Sequence, residues 1–291
     1  MSRTITGKTK ILGIIGDPVE HSISPVFQNY LLEQYHLNYI YIPFHLKKEQ
    51  SSVSIKTIFQ YGVTGANITI PFKEIAYKTA DIKDKLSELT GAVNTLNYKN
   101  NILYGYNSDG PGFWESITQY NNIKLTNIAL TVLGNGGAAK GIIGEGILRG
   151  IKDISIVARN RDKSIEFIKR TGNYPTNIKH INWENITSLS PYKNKTNIIV
   201  NTTSIGMNGE RLPFNWKIWD KSTIFSDIVY NQGKTKWLLD AEKNGFLTHE
   251  GYLMLVGQGI ISFEIWTGIK PEFNKIAEFV REWLYGSSDN G

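Results

Sequence analysis

Residues 127–139 read NIALTVLGNGGAA, and this stretch decides the fold. Asn127 to Leu133 is apolar enough for a buried strand. Gly134, Asn135, Gly136, Gly137 and Ala138 then make a turn, and the apolar spacing from Gly141 to Leu148 predicts a helix. A strand that enters a helix through such a turn grips a pyrophosphate. The first glycine permits the tight turn, the second lets backbone N–H groups approach the phosphates, and a small sixth residue lets helix and sheet pack closely. The helix N-terminus adds unpaired donors and a partial positive charge. A glycine turn alone is a weak signal, so the next strand has to be weighed with it.

That strand is Ile154 to Ala158 (ISIVA), about twenty residues past the loop, where the second strand of a dinucleotide unit ends. NAD-binding units place Asp or Glu there to bind the adenosine ribose. Here the position falls on Ala158-Arg159-Asn160-Arg161, with Lys163 close behind. A carboxylate would repel a 2′-phosphate, whereas a guanidinium binds one bidentately. The predicted cofactor is therefore NADP(H). Asp162 is a complication, because its carboxylate also lies within reach of a ribose, and a solvated basic turn is the plain alternative.

Working outward, the 291 residues suggest two domains, and 41% hydrophobic with 20% charged residues describes an ordinary globular protein. No segment reaches the ~18–20 apolar residues needed to span a bilayer. The N-terminus shows no signal-peptide pattern. Without cysteine there is neither a disulfide framework nor a thiolate metal site, and five scattered histidines predict no metal. The cytoplasm is the expected compartment. The net charge of +6 is dispersed among acids, with no basic helix or RNA-binding aromatic motif, so no nucleic-acid partner and no membrane partner is expected. A modest positive field suits small anionic ligands.

The first hundred residues alternate strand and helix: strands over 10–15, 38–45 and 65–70, helices over 25–36, 48–61 and 81–89, then short strands over 92–98 and 102–106. Such alternation predicts a mostly parallel sheet covered by helices. The expected fold is α/β, with an open N-terminal α/β substrate domain (1–108) and a Rossmann-type doubly wound parallel-sheet domain (109–250). C-terminal helices (251–291) are expected to return to the first domain. Strands are also predicted near 197–201 and 223–227, and helices over 254–266 and 271–284.

Polar residues cluster at apparent strand ends. Ser22 and Ser24 flank a helix start with Pro25 in its first turn, which reads either as simple capping by Ser24 or as hydroxyls converging on a carboxylate. Thr69 and Lys73 follow a strand in NITIPFKE, and Asn94 and Asp109 lie in AVNTL and NSDGPG. Taken singly, Lys73 reads as solvated surface and Asp109 as a helix cap. Four successive strand ends carrying short polar or ionisable side chains on one sheet edge read as a ligand site.

These motifs in combination (GDPVEHSISP, NITIPFKE, AVNTL, NSDGPG, GNGGAA, NTTSIGM and GYLMLVGQG) resemble the shikimate dehydrogenase family from Ile11 to about Leu284. The resemblance implies reversible NADPH-dependent reduction of 3-dehydroshikimate to shikimate, in aromatic amino-acid biosynthesis. It implies that Ser22 and Ser24 bind the substrate carboxylate, with Tyr230 near it. Thr69, Asn94, Asp109 and Gln258 would bind the ring hydroxyls, and Lys73 with Asp109 would form the acid–base pair. Thr203, Met207 and Gly251 would line the nicotinamide half, and Arg159 with Lys163 would clamp the 2′-phosphate. The chain departs from the family pattern at Asn135, at Ala158-Arg159-Asn160, at Gln28 and at Gln232. Quinate or a related cyclic hydroxy acid, used with NAD, is the alternative substrate reading, and a non-catalytic nucleotide sensor is a remote one. A monomer or a homodimer fits equally.

Overall fold

The computed structural model describes residues 4–47, 52–121, 127–230 and 233–286. The chain divides into two compact units, Met1–Ser108 with Gly259–Glu272, and Asp109–Gln258 with Phe273–Gly291.

The first unit runs β1 (Lys10–Gly16), α1 (Ser24–Gln34), β2 (Tyr39–His45), α2 (Ser52–Gln60), β3 (Val63–Ile68), α3 (Lys73–Thr79), β4 (Ile82–Lys83), α4 (Lys85–Thr90), β5 (Thr95–Lys99) and β6 (Ile102–Tyr106). Residues 48–51 of the helix expected over 48–61 lie outside the described residues. The sheet order is β2-β1-β3-β5-β6-β4. β1 pairs in parallel with β2 and β3, and β4 with β6, but β5 is antiparallel to both β3 and β6. Parallel pairing therefore dominates, as expected, and β5 is the antiparallel exception. The reason is local: Asn100 and Asn101 both take positive φ, 53° and 62°, which closes β5 and β6 into a two-residue hairpin. Buried Ile15, Phe59, Ile68, Phe72, Val93, Leu96 and Leu103 form this unit's core.

The helix expected over 81–89 is shorter, and α3 precedes it unforeseen. Asp84 is the cause, because its carboxylate accepts the Ser87 N–H at 2.7 Å and caps α4, so helix cannot extend back through it. Asp81 accepts the Leu103 N–H instead, which holds its neighbour Ile82 beside β6.

The second unit contains α5 (Asp109–Asn121), β7 (Ile128–Leu133), α6 (Gly137–Leu148), β8 (Asp153–Ala158), α7 (Arg161–Arg170), β9 (Asn177–Asn182), β10 (Thr196–Asn201), β11 (Ile224–Asp227), α8 (Lys236–Lys243) and β12 (Leu247–His249). Its sheet runs β12-β11-β10-β7-β8-β9, with every pair parallel. Counted within the unit, that is the third-second-first-fourth-fifth-sixth order of a dinucleotide-binding sheet. Burial on both faces explains why β7 (IALTVL) and β8 (DISIVA) are mostly apolar rather than alternating apolar and charged.

Two long helices follow, α9 (Gly251–Thr267) and α10 (Phe273–Tyr285). Where the sequence suggested that both return to the first domain, only Gly259–Glu272 groups with the first unit. α10 belongs to the second, where it packs on α5 and buries Phe273, Ile276, Ala277 and Val280 as one helical stripe. No helix among the described residues is long and apolar enough to cross a membrane.

Candidate functional site

In the first unit, polar groups collect along one sheet edge. The loop after β1 and the loop after β3 lie together there: Thr69 N–H donates to Ile15 O at 2.9 Å, and Asp17 N–H to Ile70 O at 3.0 Å. Asn94 precedes β5 rather than ending a strand. Because β5 runs antiparallel to β3, its start falls beside the end of β3, and Ile68 N–H donates to Asn94 O at 2.8 Å. The reversal thus delivers Asn94 to the edge that sequence order alone assigned for another reason. Val93 N–H donates to Lys73 O at 3.0 Å, tying the first residue of α3 to the residue before Asn94. Lys73 itself is half-buried.

Asn94 is 2% exposed and rigidly held. Its Oδ1 accepts the Ser108 N–H at 2.7 Å, and its Nδ2 lies 3.0 Å from Ser108 Oγ. A second buried network supports it, in which Asn67 Nδ2 donates to Ser262 Oγ at 2.8 Å and Tyr41 donates to Asn67 Oδ1 at 2.8 Å. Ser24 does not cap α1. It is the helix's first residue, buried, and its N–H donates to Ser22 Oγ at 3.3 Å. The plain capping reading of Ser24 is therefore replaced, and the serine pair is joined by backbone.

In the second unit the ends of β7, β8 and β10 enclose a cleft of about 400 Å³. Gly134, Asn135, Gly136, Arg159, Asn160 and Thr203 line it. Gly134 has φ +112°, and a Cβ there would collide with Thr202 Oγ1, so only glycine fits. Thr202 N–H donates to Leu133 O at 2.8 Å, which brings the β10 loop to the strand-order reversal beside β7. Gly136 is the N-cap of the 12-residue α6, so Gly137 and Ala138 present the helix's first N–H groups. A helix N-terminus, a turn opened by an obligatory glycine at Gly134 and the exposed Arg159 fit a dinucleotide pyrophosphate with a 2′-phosphate.

Asn135 Nδ2 donates to Asn160 O at 2.7 Å and to Ser164 Oγ at 3.0 Å, so the residue that departs from the family pattern bridges the turns after β7 and β8. Asn160 Oδ1 accepts the Lys163 N–H at 2.9 Å, which engages that atom in capping α7. Lys163 and Met207 are exposed and do not line the cleft. Trp183, Thr202, Ser204 and Ile205 line it without having been foreseen. Trp183 follows β9, whose sequence NIKHIN carries too little apolar character to stand out. The others follow Asn201, and only the strand order reveals that β10 neighbours β7.

Asp109 is 6% exposed at the start of α5, and Gln258 lies in α9. These helices cross where Gly112 faces Gly257 and Gln258, with no space for a Cβ on either glycine. Gln258 Nε2 donates to Leu255 O at 2.8 Å. Gly251 packs against the Ile228 and Val229 carbonyls, just before Tyr230. Tyr230 is half-buried, and desolvation holds its hydroxyl above the ordinary tyrosine pKa. Gln232 lies outside the described residues.

The second unit's strand order and cleft define a doubly wound, dinucleotide-binding α/β protein. Comparison with known proteins narrows this. Residues 14–96 match the shikimate dehydrogenase substrate binding domain, and residues 251–278 match the shikimate 5′-dehydrogenase C-terminal domain. A shikimate dehydrogenase (NADP(+)) from Methanosphaera stadtmanae is 37% identical over 97% of this chain and 100% of its own length. Shikimate 5-dehydrogenase from Listeria monocytogenes, solved with shikimate and NAD, superposes with a TM-score of 0.89 at 28% identity, over 96% of this chain and 99% of that one. The Thermus thermophilus enzyme, solved with NADP(H) and shikimate, gives 0.81 at 26% identity, over 95% and 100%. The chain belongs to the shikimate dehydrogenase family.

Proposed function

We propose that this chain interconverts 3-dehydroshikimate and shikimate with NADP(H) as the redox partner. One observation carries the reading. The chain places a family-matched polar edge in one unit, and in the other a dinucleotide cleft whose ribose end carries Arg159 where NAD-binding units carry a carboxylate. Its relatives' NADP(+) designation points the same way.

When bound, NADPH supplies the hydride that reduces the ring ketone. The chain's residues bind, orient and handle the proton. Ser22 and Ser24, with Tyr230, hold the substrate carboxylate, and Thr69, Asn94 and Gln258 hold ring hydroxyls. The Lys73 ammonium stabilises negative charge developing on the ketone oxygen and delivers the proton that completes the alcohol. In the reverse direction the neutral amine accepts it. Asp109 binds a ring hydroxyl and is the other member of the proposed acid–base pair. Gly134, Asn135, Gly136, Gly137 and Ala138 hold the pyrophosphate, with Arg159, Asn160 and Lys163 at the 2′-phosphate. Thr203, Met207 and Gly251 flank the nicotinamide. The proposal extends to a cytosolic monomer or homodimer, which sedimentation would decide.

Initial rates with shikimate and with quinate, each with NADP and with NAD, test the assignment. The expected order puts shikimate with NADP far ahead. Comparable turnover of quinate with NAD would move the protein to the alternative.

A further inference from the structure

Asp227 ends β11 with no exposed surface, and the groups that hydrogen-bond to its carboxylate are neutral. Its Oδ1 accepts from Asn201 Nδ2 at 2.9 Å and from the Val229 N–H at 3.0 Å. Its Oδ2 accepts from Thr235 Oγ1 at 2.8 Å. Burial raises its pKa to about 6 against these three donors. Retaining a carboxylate there costs stability, because an apolar or amide residue would avoid burying a charge.

The bonds lead to two places. Through Asn201, itself fully buried, they reach the loop that lines the nucleotide cleft. Asn201 Oδ1 accepts from Thr203 N–H at 3.1 Å and from Thr203 Oγ1 at 2.7 Å, while its Nδ2 also donates to Ile205 O at 2.9 Å. Thr203 Oγ1 in turn accepts the Ile205 N–H at 3.2 Å. Through Val229, the same carboxylate fixes the backbone one residue before Tyr230. An Asn side chain turned wrongly would place its oxygen against Asp227 and its amide against Thr203 N–H, so the carboxylate also dictates the orientation of Asn201.

We propose that Asp227 is a positioning residue that sets the Thr203–Ile205 loop and Tyr230 with a single carboxylate, coupling the nicotinamide half of the cofactor site to the substrate-carboxylate group. The inference rests on the functional reading above for the roles of Thr203 and Tyr230. The adenosine half, built on Gly134 to Gly136 and Arg159, receives no bond from this network.

Calorimetry on Asp227→Asn tests it. Asn keeps an oxygen for Val229 and Asn201, but turns an N–H₂ toward Thr235 and removes the charge. The NADP⁺ dissociation constant should rise roughly tenfold from weakened charge-assisted bonds, while that of adenosine 2′,5′-bisphosphate stays within about twofold. In assays, kcat/KM for shikimate should fall with it. Thr235→Val, which removes one donor to Asp227 together with the α8 N-cap, should give the same pattern more weakly, and it decides the matter if Asp227→Asn does not fold. Equal weakening of NADP⁺ and the bisphosphate, or no weakening of either, would overturn the proposal. Wild-type turnover of shikimate reports separately on the functional reading, because the comparison of the two nucleotides needs no turnover.

Discussion

Asn135 Nδ2 lies 2.7 Å from the carbonyl oxygen of Asn160, so the glycine loop after β7 is fastened to the turn after β8 by one side chain. Both turns line the nucleotide cleft. Asn135 therefore sets the spacing between these two turns.

Removing that amide by Asn135→Ala deletes this bond and the 3.0 Å bond to Ser164 Oγ. If the loss in binding equals the net worth of one such bond, ~0.5–1.5 kcal/mol, NADP⁺ affinity should fall roughly two- to twelvefold. Titration calorimetry measures it, and unchanged affinity would make the bridge incidental.

Arg159→Ala separates the two dinucleotides. Loss of a charge-assisted contact should weaken NADPH by roughly 10–150-fold and hardly affect NADH. Equal losses would place the 2′-phosphate elsewhere.

Lys73→Met keeps the length of the side chain and removes the proton donor. Turnover should fall by ~10²–10⁴-fold, with shikimate binding largely intact. Steady-state kinetics alongside equilibrium binding makes the distinction, and near-normal turnover would exclude Lys73 from the chemistry.

Acid stability should follow His249. The ring is fully buried, with Nε2 2.9 Å from Ser116 Oγ and Nδ1 2.9 Å from Ser226 Oγ, and burial lowers its pKa from 6.5 to about 3. Between those values the unfolded chain binds a proton that the folded chain excludes. Its contribution is whole above about 6.5 and is lost as pH falls toward 3. Asp227 opposes this between 3.8 and about 6, because its raised pKa favours the protonated folded form, but its displacement is smaller. The urea midpoint should therefore drop between about pH 7 and about pH 4, and His249→Gln should flatten that slope. A variant retaining the full slope would assign the acid sensitivity to other groups.

Much of the site was legible from the chain because its signals are local. Gly134 is dictated by a positive φ, Pro25 by a helix's first turn, and the runs in β7 and β8 by burial on both faces. The strand β9 and helix α3 escaped notice because NIKHIN and KEIAYKT are too polar or too short for periodicity to register. Trp183 was lost with β9.

The sequence by itself determined the nucleotide loop, the alternation of strand and helix, and the residue types available for acid–base work. Backbone conformations and hydrophobic periods that span only a few residues encode those. Only the tertiary structure decided that Asn94 reaches the polar edge by an antiparallel reversal, that α10 joins the second unit, and that Asp227 hydrogen-bonds Asn201 from 26 positions away. Such bonds depend on which strands become neighbours, and strand order is fixed by packing across the whole sheet.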